Sequence, residues 1–179
     1  MLWYFQYSKG MIIFMKLTYI SWIPMVILMI IIFCFSHQQA EGSNEKSLPI
    51  ANGILSIHEN ITNTSYDGEE RVEKLNIINH VVRKLAHFTE YAILAISVAF
   101  FLWTWNFKDL RLILLSIIIT SIYAVTDEVH QLFIPGRSGE IKDVLIDSLG
   151  GIAGALLFYL FTRFFAAIHP KDKNVSTSK

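Results

Sequence analysis

Cysteine and charge are what this sequence has least of. Of 179 residues one is cysteine, Cys34, so neither an intramolecular disulfide nor a cysteine metal cluster can form. Its place inside an apolar run reads as a small packed or lipid-facing side chain. Charged residues make up only 17% of the chain, and 15 basic residues balance 15 acidic ones. That balance leaves no bulk positive charge to attract nucleic acid. No repeat of about 20–50 residues is visible, and no run alternates apolar and polar over about ten residues as a barrel strand does. What remains is apolar: 53% hydrophobic residues and a mean hydropathy of +0.45. So short and greasy a chain reads as a small integral membrane protein rather than a soluble enzyme domain.

A helix needs about 20 mostly apolar residues to cross a hydrocarbon core of about 30 Å. Four stretches qualify: Leu17 to Phe35, about Leu85 to Trp105, "LRLILLSIIITSIYAVTDEV" from Leu110, and about Val144 to Phe165. Only helices satisfy such backbones inside lipid. The expected fold is an all-α membrane protein, four transmembrane helices in a compact bundle with polar residues clustered at one membrane face. Residues 17–166 would form the transmembrane domain, with tails at 1–16 and 167–179. Lys16 before an apolar run resembles a signal peptide, but "SHQQA" is a poor cleavage site, so a retained anchor is expected. Met15 would also make a natural start.

Residues 36–80 form the one long connection; "QQAEGSNEKSLPIANG" and "NTSYDGEE" place it outside the membrane, and parts of it, especially its end, are expected to be helical. Val72, Leu75, Ile78, Val82 and Leu85 recur at helical spacing, which predicts an amphipathic lead-in at the interface. The sequons at Asn60 and Asn63 are of a kind that recurs by chance.

In a four-pass chain the end of helix 1, the start of helix 2, the end of helix 3 and the start of helix 4 share one face. The polar motifs sit at those four ends: Ser36, His37 and Gln38; Arg83, Lys84, His87 and Glu90; Asp127, Glu128, His130 and Gln131; Arg137, Asp143 and Asp147. All the acidic residues except Asp109 and Asp172 fall on this side. Counting back from Trp105 puts His87 and Glu90 at hydrocarbon depth, with Asp127 and Asp147 at the rims of their helices. Ionisable groups there must face one another or a wet cavity. Lys84, His87 and Tyr91 form one stripe, Asp127 reaches His130 and Gln131, and Asp143 and Asp147 precede Gly150, Gly151 and Gly154 on one face. The Gly150 to Gly154 small-xxx-small spacing lets another helix approach closely.

Between the last two helices, "FIPGRSGEIKD" holds Arg137 between Pro135-Gly136 and Gly139, where its fork would meet a phosphate or carboxylate, or snorkel to lipid phosphates. His58, His80 and His169 read as solvent-exposed, and Trp3, Trp22, Trp103 and Trp105 as interfacial or lipid-facing anchors.

"RKLAHFTEY", "DEVHQLFIPGRSGEIKDVLIDSLGG" and, more weakly, "FCFSHQQ" together resemble the VanZ-like family of bacterial membrane proteins over roughly Ile20 to Phe165. The matching polar and turn positions are Lys84, His87, Glu90, Tyr91, Asp127, Glu128, His130, Gln131, Pro135, Gly136, Arg137, Asp143, Asp147 and Gly150. The resemblance implies a cell-envelope protein, affecting access of teicoplanin-type lipoglycopeptides to the surface. It implies no substrate.

Three mechanisms fit these residues. A membrane enzyme acting on a lipid or lipid-linked headgroup would use His87 and Glu90, or Asp127, Glu128 and His130, as acids, bases or metal ligands. No cofactor is expected; a divalent metal is a minor alternative, because the spacing matches no metal signature. Ser138 lacks the strand-turn-helix context of a nucleophile elbow. A non-catalytic binder would hold an acidic headgroup, a cell-wall precursor or a lipoglycopeptide with Arg137, Lys84 and Arg83, and Tyr91, Gln131, Asp143 and Asp147 would complete the pocket. A transporter would need ionisable relays through the bilayer, and helices 1 and 3 offer few. Oligomeric state is left open.

Eight basic residues lie on the terminal face and seven on the motif face, the eight in shorter segments, so both termini are expected in the cytoplasm and the motif face outside. A cysteine introduced between residues 57 and 67 should react with an impermeant maleimide on intact cells. Labelling only after lysis would reverse the topology.

Overall fold

The computed structural model describes residues 17–37, 40–136 and 139–168. Both tails, Gln38, Arg137, Ser138 and His169 lie outside them, as do the side chains of residues 40–45. The described residues form five helices: α1 (Ile23–Ser36), α2 (Ala40–Thr62), α3 (Gly68–Thr104), α4 (Asp109–Gln131) and α5 (Ile141–Ile168). Four spans are long and apolar enough to cross a membrane: Leu17–Ser36, Gly68–Thr104, Asp109–Gln131 and Ile141–Ile168. The expected four-span all-α architecture is therefore present.

The second span differs from expectation in length. The amphipathic lead-in does not lie apart from the second apolar run but continues into it as one helix of 37 residues. At ~1.5 Å per residue that is roughly 55 Å, well beyond a hydrocarbon core of about 30 Å. Its first turns carry Glu69, Glu70, Arg71, Glu73 and Lys74, so the surplus belongs outside the membrane. The turn-rich wording of residues 40–62 also proves helical, although it contains Pro49 and Gly53. Tertiary packing explains this: Ala51 and Leu55, one turn apart, are buried where α2 lies along α3. Asn63, in a left-handed conformation, ends α2 and turns the chain back. Arg71 on α3 donates to Asn52 Oδ1 at 2.9 Å and lies 3.6 Å from Glu59.

The bundle core is built mainly by α3, which buries Tyr91, Leu94, Ala95, Val98, Ala99 and Leu102. Leu112 and Ala124 of α4 and Ile32 of α1 join the cluster. Outward positions stay aliphatic, as at Ile118, Ile122, Val125 and Val129 of α4, because the bilayer welcomes them. Ser116 and Thr120 are buried yet donate to Leu112 O and Ser116 O in their own helix, so they need no partner across the bundle. Tyr123 donates to Met29 O at 2.6 Å, and the Ser21 and Thr104 hydroxyls share a 2.8 Å bond. Those polar contacts fasten the first span to α4 and α3.

The closest approach is between α5 and α3. A Cβ at Gly150 would collide with Phe88 O, and one at Gly154 with Ala92 O; at Gly151 it would come 3.0 Å from Thr120 Cγ2. The small-xxx-small reading is thus a backbone contact. Neither obstacle is the end of a flexible side chain, so it cannot swing aside. Gly150→Ala and Gly154→Ala should each destabilise the bundle by about 1–3 kcal/mol, the usual range for overpacking. Gly53→Ala, which meets nothing within 4 Å, should be neutral or stabilising. Thermal loss of the monodisperse chromatographic peak in detergent measures all three.

Candidate functional site

The glycine contact fixes what stands one turn before it. Asp147, on α5, is drawn against α3 and is 0% exposed. Counting residues places it at a rim; the close approach of the helices encloses it. On α3 the stripe Lys84, His87 and Tyr91 faces the same region. Lys84 Nζ forms an ion pair with Asp143 Oδ1, His87 Nδ1 lies 4.0 Å from Asp147 Oδ1, and Tyr91 is wholly buried.

The end of α4 supplies the third wall. Asp127, Glu128 and Gln131 are 3%, 4% and 2% exposed. Gln131 Nε2 donates to Glu128 Oε1 at 3.2 Å and to Asp127 Oδ2 at 3.4 Å. Glu128 Oε2 accepts the backbone N–H of Glu140 at 3.0 Å, which pins the loop before α5 to the end of α4. Gly139 fits there because a Cβ would come 2.7 Å from Glu128 O.

Acceptors outnumber donors in this cluster. Asp127, Glu128, Asp143 and Asp147 contribute four carboxyl groups, eight oxygens with two lone pairs each, against the Lys84 ammonium, the His87 imidazole, the Gln131 amide and the Tyr91 hydroxyl. Asp127 Oδ1, both Asp147 oxygens and the Tyr91 hydroxyl are buried without a hydrogen bond among the described residues. Such atoms are costly to leave unsatisfied. Beside Glu128 a groove of about 320 Å³ opens between α4 and α5, walled by Val125, Val129, Leu132, Ile141 and Val144.

The expected site residues divide. Lys84, His87 and Tyr91 in the middle of α3, Asp127, Glu128 and Gln131 at the end of α4, and Asp143 and Asp147 at the start of α5 stand at one end of the bundle. Glu90 is half-buried on α3. His130 leaves the cluster: its ring stacks on Phe33 with centroids 4.4 Å apart, and its Nε2 is 3.2 Å from His37 Nδ1. Two residues after Glu128 means roughly 200° around a helix, so His130 faces α1. Arg137 is outside the described residues. No group of three His, Cys, Asp or Glu side chains among the described residues is arranged to hold a metal ion.

One contributor escaped the sequence reading. Tyr123, one turn before Asp127, sets its ring 6.2 Å from that of Tyr91; the i, i+4 spacing to an acid was the available signal. Ser36, the last residue of α1, is 2% exposed with no hydrogen bond to its Oγ among the described residues. It had been placed on this face but given no role.

Comparison with curated proteins and with solved structures gives no match. The VanZ/LLP1 family model, however, matches residues 21–162. That span contains every residue of the cluster and the paired glycines beneath it, and covers well over half of the sequence. On that match, the four-span chain is a membrane protein of the VanZ/LLP1 family.

Proposed function

We propose that this protein acts in the cell envelope by holding, in the acceptor-rich cluster, the headgroup of a membrane lipid or lipid-linked envelope molecule, and that this lowers susceptibility to teicoplanin-type lipoglycopeptides. The observation that carries the reading is Asp147, enclosed at the meeting of α3 and α5 with both oxygens lacking a hydrogen bond among the described residues. A headgroup bearing hydroxyl, amide or ammonium donors matches that excess of acceptors. The binder read from the sequence holds an acidic headgroup or a lipoglycopeptide with Arg137, Lys84 and Arg83. Lys84 is already paired with Asp143, which tilts the choice toward donors. The apolar groove beside Glu128 is suited to an acyl chain.

A catalytic reading has its own support in His87 and Asp147, 4.0 Å apart. An imidazole this near a buried carboxylate is suited to general acid–base work on a headgroup once the pair closes to hydrogen-bond distance. Its proton would move between His87 and the reacting oxygen or nitrogen, with Asp147 as the positioning group.

Wild type, Asp147→Asn, His87→Ala, Asp127→Asn and Glu90→Gln at matched membrane levels should separate these readings. For the binder, Asp147→Asn should weaken headgroup retention about tenfold or more, as expected for lost hydrogen bonds to a charged group, and raise lipoglycopeptide susceptibility with unchanged mass spectra of envelope lipids. A mass-shifted envelope species that needs His87 would make the protein an enzyme. Wild-type behaviour from every variant would remove the cluster from the function.

A further inference from the structure

The opposite end of the bundle carries a second concavity that shares no residue with the acidic cluster. A groove of about 580 Å³ runs between the last turns of α3 and α5 and the first of α4. Phe100, Leu112, Phe158, Phe161 and Phe165 make it apolar, and Trp103 stands in its wall. Next to it, the α3–α4 turn from Trp105 to Arg111 forms a cup of about 510 Å³. The two hollows share Lys108 and Asp109. An apolar groove that opens into a charged cup has the shape of an amphiphile.

Among the described residues, cations outnumber carboxylates at the mouth. Lys108, Arg111 and Arg163 stand against one described carboxylate, Asp109. Arg163 Nη1 lies 3.7 Å from Asp109 Oδ1, with both side chains about two-thirds exposed, and such a pair is weak and easily exchanged. Lys108 Nζ sits 4.8 Å over the Trp103 ring, which holds its charge at the lip of the groove. Basic pockets between transmembrane helices suit anionic headgroups. A second copy of the chain would offer apolar surface but, with a net charge of zero, no excess of negative charge to match this basic mouth.

The geometry points to a binding site for an anionic glycerophospholipid: its phosphodiester lies among Lys108, Arg111 and Arg163, and an acyl chain lies in the phenylalanine groove. The site is independent of the headgroup cluster and holds whether or not that cluster is catalytic.

Trp103 reports on occupancy directly. In a chain with Trp3, Trp22 and Trp105 changed to Phe, brominated phosphatidylglycerol in phosphatidylcholine vesicles should quench Trp103 more than the same fraction of brominated phosphatidylcholine. Arg163→Gln and Lys108→Gln should each lower that preference about fivefold, the effect of one basic residue near a surface. Lys142→Gln, at the other end of the bundle, should leave it unchanged. Native mass spectrometry of the wild-type chain with both lipids added gives the same comparison without substitutions, and retention of phosphatidylglycerol over phosphatidylcholine is expected. Equal quenching and equal retention, or a preference that survives the double substitution, would overturn the site. So would exclusion of both lipids by a dimer.

Discussion

Everything at the motif end depends on two glycines that let α5 touch the backbone of α3. In a bilayer, apolar side chains gain little by leaving lipid for protein, so helices associate through close packing and polar contacts. Gly150 and Gly154 lie one turn apart on α5, against Phe88 O and Ala92 O. Once that contact forms, Asp147 is buried against α3, and Asp143 is set where Lys84 can pair with it. Packing below thus dictates electrostatics above.

The consequence is a cluster rich in acceptors. A buried polar network is stable when every member finds a partner and costly when some do not. Here the Gln131 amide and the Glu140 N–H satisfy parts of Asp127 and Glu128, and the Asp147 oxygens are left over. The same region has an aliphatic groove at its side, so a polar headgroup and its chain would both find suitable surroundings.

The two ends of the bundle have opposite characters. The motif end concentrates carboxylates between helices, whereas the other end sets cations on a turn beside an aromatic groove. The α2–α3 hairpin adds a rigid helical extension on the motif side, because α3 is far longer than a bilayer requires. Lys84, His87 and Tyr91 lie where the lead-in and the transmembrane half of this one continuous helix meet.

The sequence by itself determined the four apolar spans, the common face of their polar ends and the glycine stripe, because hydropathy over about 20 residues and helical spacing are local properties. It also placed Lys84, His87, Tyr91, Asp127, Glu128, Gln131, Asp143 and Asp147 at one end. Tertiary structure decided which of these meet. That His130 turns to His37 and Phe33, and that Lys84 is bound to Asp143, depends on how the helices are rotated about their axes. Residues 40–62 become helical through burial of Ala51 and Leu55 against α3, a contact that turn-rich local wording does not encode. Spacing fixes a residue's place around its own helix; only packing chooses the neighbour it faces.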